Sequence, residues 1–145
     1  MNPAGLKRVA IIYPYLAHYR EAVFEMLSRS DAKHRYVIFS DRESNLPALA
    51  TIPVEKARSL NSEGNLNWRL IRNRWLTEHV LWQSDALRIA TSREFDVVVF
   101  LGSVRYLSTW TAAILARLTG KRVLMWTHGV LRPEVGLHEI GRAHV

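Results

Sequence analysis

The chain has 145 residues, 48% of them hydrophobic and 23% charged, enough for one domain with one buried core and too apolar for wholesale disorder. It contains no cysteine, which removes disulfides, thiolate metal sites and cysteine nucleophiles together. The formal net charge is +7, yet no zinc-finger spacing, RNA-binding aromatic signature or basic zipper accompanies it, which argues against nucleic acid.

The chain alternates strand and helix patterns. Residues 8–13 are a β-branched run that reads as a buried strand ended by Pro14. A helix is expected from Tyr19, with Ala22, Val23, Met26 and Leu27 as its apolar stripe. Residues 35–39 form a second strand closed by Ser40 and Asp41, and residues 50–54 suit a short third one. Beyond it, residues 68–75 interleave three arginines with two tryptophans. That segment is either a solvated face or a contact with an anionic membrane, arginines on phosphates and tryptophans at headgroup level.

The second half is more regular. Leu76, Val80, Ser84 and Leu87 share one helical face, flanked by Trp82, Ala86 and Ile89. Residues 95–101 are almost wholly apolar and read as a central strand. Gly102 and Ser103 end it, with Ser103 placed to cap a helix carrying Val104, Leu107, Thr111, Ile114, Leu115 and Leu118 and stopped by Gly120. Residues 122–126 make a last strand, leaving through Thr127, His128 and Gly129. The expected fold is α/β, a Rossmann-like open parallel sheet with helices on both faces.

The first eight residues lack the apolar core of a signal peptide, and the longest apolar run, residues 97–102, is far too short to cross a bilayer. A soluble, cytoplasmic protein is the expectation. Residues 139–145 look like the in-frame translation of a short-read sequencing adapter, so the domain is taken as residues 1–138 and the natural chain is expected to continue differently beyond His138.

Ligands in open α/β sheets lie at the carboxyl ends of the strands, near the point where strand order reverses. That rule nominates His18, Tyr19 and Arg20 after the first strand, Gly102, Ser103 and Arg105 after the central one, and Thr127, His128 and Gly129 after the last. The first exit loop holds no glycine, which excludes a dinucleotide fingerprint and a phosphate-binding P-loop. Arg20 has two roles open to it, an anionic ligand or a carboxylate on its own helix. Gly102 and Ser103 can admit a ligand to free backbone amides or simply form a capped turn. His128 can take a proton from, or hydrogen-bond, a hydroxyl, or it can serve as a structural hydrogen-bonder.

Three blocks carry a resemblance. Val9-Ala10-Ile11-Ile12-Tyr13-Pro14-Tyr15 with Tyr19-Arg20-Glu21-Ala22-Val23-Phe24 is the first. Phe95-Asp96-Val97-Val98-Val99 with Leu107-Ser108-Thr109-Trp110 is the second. Gly120-Lys121-Arg122-Val123-Leu124-Met125-Trp126-Thr127-His128-Gly129 is the third and most specific. Together they resemble glycosyltransferase family 4, in the bacterial branch that builds surface polysaccharides. The resemblance implies a GT-B fold, two Rossmann-like domains across a cleft, of which this chain is the N-terminal, acceptor-side half. It implies a retaining enzyme with no metal and no cofactor, using a nucleotide sugar as donor and a glycan or lipid-linked acceptor, at the inner face of the plasma membrane. His128 is similar in position to the family's active-site histidine, and the loop from Pro14 to Arg20 to the one facing acceptor and donor phosphates. That loop lacks the glycine some members carry. The donor-gripping glutamate pair belongs to a C-terminal half absent here, so the fragment alone is expected to be inactive. Two alternatives stand beside this one: a non-enzymatic, flavodoxin-like ligand-binding domain, and another GT-B-like enzyme such as an epimerase or a glycerophosphotransferase.

Overall fold

A computed structural model of the protein describes residues 5–29, 33–42, 44 and 49–127. Its main sheet is built on β1 (Lys7–Tyr15), in which every residue from Val9 to Tyr15 is buried. Successive side chains of a strand point to opposite faces, so an unbroken apolar run needs cover on both. Ala10 and Ile12 enter one core layer, Val9, Ile11 and Tyr13 the other. Pro14 does not end the strand as its missing N–H suggested. The register with β2 (His34–Asp41) shifts between Ile12 and Tyr15, and pairing resumes at Tyr15 and Asp41.

The other elements in chain order are a 3-10 turn (His18–Arg20), α1 (Glu21–Ser28), α2 (Val54–Ser62), β3 (Trp68–Leu70), β4 (Arg74–Trp75), β5 (Leu81–Trp82), α3 (Ser84–Thr91), β6 (Val97–Leu101), α4 (Leu107–Leu118) and β7 (Arg122–Trp126). The five-stranded sheet runs β3-β2-β1-β6-β7, all parallel, while β4 and β5 form a separate antiparallel hairpin. Counting only strands of the large sheet, this is order 3-2-1-4-5. That is the Rossmann arrangement and not the flavodoxin order 2-1-3-4-5, so the flavodoxin-like shape is not adopted. Right-handed crossovers in opposite directions from β1 put helices on opposite faces. Phe24 of α1 and Ala57 of α2 join the layer of Val9 and Ile11, and Ala86, Ile89 and Ala112 of α3 and α4 join that of Ala10 and Ile12.

Several local expectations are corrected. The middle strand is β1; β6 lies beside it, between β1 and β7. Residues 50–54 make only an isolated bridge from Thr51 to Ala17, and the third strand is Trp68–Leu70. Trp68 is thereby buried, its indole N–H donating to the Ser40 hydroxyl at 2.9 Å, and Arg69 pairs with Glu94 at 2.8 Å. A tryptophan so placed does not reach a headgroup. The helix drawn through Leu76 and Val80 is instead the β4–β5 hairpin, with Leu76 exposed and α3 burying Ala86, Ile89 and Ala90. In α1 the anchor is Phe24, fully buried, while Val23 and Met26 face outward.

The largest correction concerns α4. Its buried face is Ser108, Thr109, Ala112, Ala113 and Ala116, whereas Leu107, Ile114 and Leu118 are exposed, as is Val104 before it. Small residues let this helix lie close against the sheet and α3, which turns its large side chains away from the core. Ser103 does not cap it: Tyr106 holds the N-cap position, and Ser103 closes the preceding turn by accepting the Tyr106 N–H on its carbonyl at 3.2 Å. No helix among the described residues is long and apolar enough to cross a membrane.

Candidate functional site

The reversal of strand order falls between β1 and β6, and the chain opens a cavity of about 200 Å³ there. Tyr15 from the end of β1 and Ser103, Arg105 and Tyr106 from the β6–α4 turn line one part of it. The β4–β5 hairpin supplies Trp75, Glu78 and His79. The hairpin's tip is shaped by Thr77, whose hydroxyl accepts the backbone N–H groups of His79 and Val80 at 3.2 and 3.1 Å. Its second strand is fastened to the opposite wall, the Leu81 N–H donating to the Arg105 carbonyl at 3.1 Å.

A polar network braces the elements that carry this lining. Gln83, 2% exposed, donates through Nε2 to Asn73 Oδ1 at 2.7 Å and to the Tyr13 carbonyl at 3.3 Å. Its backbone N–H goes to the Ser108 hydroxyl at 2.9 Å. Asn73 in turn donates Nδ2 to the Pro14 carbonyl at 2.7 Å and its backbone N–H to Asp41 Oδ2 at 2.7 Å. The carbonyls of the irregular end of β1, which the bulge at Pro14 diverts from the ladder, thus find donors in side chains. The network joins the ends of β1 and β2 to the hairpin, α3 and α4. Asp41, at the second strand exit, is spent on this bracing.

Beside the cavity, the loop after β1 is held by residues 50–52: the His18 N–H donates to the Ala50 carbonyl at 3.0 Å and the Ile52 N–H to the Leu16 carbonyl at 2.8 Å. Arg20 then lays its guanidinium over the Trp126 ring at 4.4 Å, with the rings of Tyr19 and Tyr13 at 5.4 and 5.8 Å. On α1, Glu21 pairs with Lys56 and Glu25 with Arg29. Tyr13, Phe24 and Trp126 meet edge to face beneath, a rigid aromatic seat for a planar cation. Burial, and then a hydrogen bond with Tyr19, hold the Tyr13 phenol well above its usual range, partly offset by the Arg20 charge. Burial likewise pushes the Tyr106 phenol up to about 12, with Tyr15 raising it further, Arg105 lowering it and Tyr19 raising it. Both phenols are therefore neutral donors at physiological pH.

Among the expected residues, Ser103 and Arg105 line the cavity. Tyr19 and Arg20 belong to the adjoining aromatic cluster, and His18 is exposed at its edge. Gly102 has a structural reason: a Cβ there would come within 2.8 Å of Thr127 Cγ2, where the ends of β6 and β7 close together. His128 and Gly129 lie outside the described residues, as do residues 139–145. Trp75, Glu78, His79 and Tyr106 are not among the expected ligand residues, because Trp75 falls in the arginine–tryptophan segment, Glu78 and His79 in the helical pattern that starts at Leu76, and Tyr106 between Val104 and Leu107 of the next expected helix. The signal was present in two short strand-forming pairs, Arg74-Trp75 and Leu81-Trp82, around the polar Thr77-Glu78-His79.

Three aromatic rings, a carboxylate, an imidazole, a guanidinium and a hydroxyl around one small opening suit an uncharged or weakly acidic polyhydroxylated ligand. Rings cover its C–H faces while polar groups take its hydroxyls. The chain matches no protein-family model, no curated protein and no solved structure.

Proposed function

We propose that the chain is the acceptor-side domain of a retaining glycosyltransferase that passes a sugar from a nucleotide sugar to a glycan or lipid-linked acceptor in cell-surface polysaccharide synthesis, on the cytoplasmic side of the membrane. The observation that carries this reading is the cavity at the strand-order reversal, lined by Tyr15, Trp75 and Tyr106 together with Glu78, His79 and Arg105. It lies where an open α/β sheet takes its ligand, and its aromatic rings beside polar groups are compatible with a carbohydrate. The resemblance of the three sequence blocks supplies the reaction class. In this reading the cavity holds the acceptor, and Glu78 or His79 orients the hydroxyl that will attack. Arg20, stacked on Trp126, sets a cation near the carboxyl end of β7.

The test is a titration of the chain with neutral mono- and oligosaccharides, followed by nuclear magnetic resonance. Signals of Tyr15, Trp75 and Tyr106 should shift together, and Trp75→Ala should weaken binding about tenfold, the scale of one stacked ring. Saccharide binding that spares these signals, or none at millimolar concentration, refutes the reading.

A further inference from the structure

We propose that the outer face of α4 is a docking surface for an anionic lipid bilayer. Leu107, Trp110, Ile114 and Leu118 are 47%, 45%, 62% and 78% exposed. Their spacing of three, four and four puts them on one line along the helix, on the side opposite the buried Ala112, Ala113 and Ala116. A helix that packs through its small residues and shows its large apolar ones to water has its amphipathicity reversed, and such a stripe marks an interaction site.

Charge selects the occupant. From residue 97 to residue 133 the chain has no Asp or Glu. Within that stretch Arg105 before the helix, Arg117 in its last turn and Arg122 on β7 are all exposed. An apolar line with a tryptophan and exposed arginines at both of its ends, beside an α3 whose Asp85 is paired with Arg88, is a composition that lies in a headgroup region: apolar side chains enter the acyl boundary and arginines meet lipid phosphates. A second copy of the chain would set these cations against their own kind. The Trp68 to Trp75 segment is the poorer candidate, because Trp68 is buried and Arg69 is paired with Glu94. This inference does not depend on the transferase reading.

Co-sedimentation of the full 145-residue chain with vesicles tests it, using phosphatidylcholine alone or mixed with phosphatidylglycerol. Binding is expected to need phosphatidylglycerol and to weaken as salt rises. The triple substitution Trp110→Ser, Ile114→Ser and Leu118→Ser removes only exposed side chains, so its thermal midpoint should hold while partitioning falls at least about tenfold. Arg117→Glu with Arg122→Glu should reduce binding to the mixed vesicles. Arg72→Ser with Arg74→Ser should leave it in place. Equal binding to neutral vesicles, wild-type partitioning by the triple variant, or loss through Arg72 and Arg74 would each overturn the proposal. So would light scattering that shows a concentration-dependent dimer abolished by the triple variant, since a second copy would then cover the face.

Discussion

Replacing Gln83 by Leu tests the idea that the cavity stands on a buried polar frame. Leucine keeps much of the volume but deletes the amide that donates to Asn73 Oδ1 at 2.7 Å and the Tyr13 carbonyl at 3.3 Å. The first bond is short and the second long, so together they contribute about 1–2 kcal/mol net, with a further penalty for acceptors left buried without a donor. At 2% exposure water does not replace the lost amide. The expected cost is about 2–3 kcal/mol, which lowers the thermal midpoint by roughly 5–10 °C in a domain of this size. Urea denaturation at constant slope measures it. Gln83→Glu sharpens the test. Its carboxylate would face two oxygen acceptors, so its folded pKa is raised above the unfolded value. The variant should therefore be less stable than Gln83→Leu at neutral pH and recover as pH falls through that raised pKa, where the protonated acid donates again. A loss under about 0.5 kcal/mol for Gln83→Leu, or no pH-dependent recovery for Gln83→Glu, refutes the frame.

Gly102→Ala should destabilise by about 1–3 kcal/mol through the 2.8 Å approach to Thr127 Cγ2, and Thr127→Ser, which removes that methyl, should restore most of it; unfolding of the single and double variants decides. Because the Tyr106 phenol is raised to about 12 against an unfolded value of 10, stability is complete below pH 10 and falls as pH rises from 10 towards 12. Ultraviolet titration of tyrosinate, with Tyr106→Phe as control, should show a late-titrating phenol that the substitution removes. For His128, placed in the proposed reaction beside the transferred sugar, His128→Ala in the protein joined to a donor-binding half should cut turnover about 10²-fold or more with little change in thermal midpoint. Normal turnover, or collapse of the fold, would return it to a structural role.

Periodicity along the chain was enough to determine the class of fold and four strands of the sheet, β1, β2, β6 and β7. Strands covered on both faces must be apolar throughout, and Val9–Tyr13 and Val97–Leu101 announce that directly. The rule that ligands gather at carboxyl strand ends also picked out Ser103 and Arg105, because connectivity alone forces those turns to one edge. What remained hidden depends on distance through space. Whether the apolar residues of α4 face in or out is not written in their spacing, since a stripe has the same period on either side. Only the close packing of Ala112, Ala113 and Ala116 against the sheet decided that Leu107, Trp110, Ile114 and Leu118 point to solvent. Likewise the two-residue strands of the β4–β5 hairpin are too short to show a period. Asn73 and Gln83 hold that hairpin by bonds to the β1 carbonyls of Pro14 and Tyr13, across 59 and 70 positions of chain. Tertiary structure therefore placed Trp75, Glu78 and His79 over the exit of β1, for the physical reason that a bulged strand end leaves carbonyls only distant side chains can satisfy.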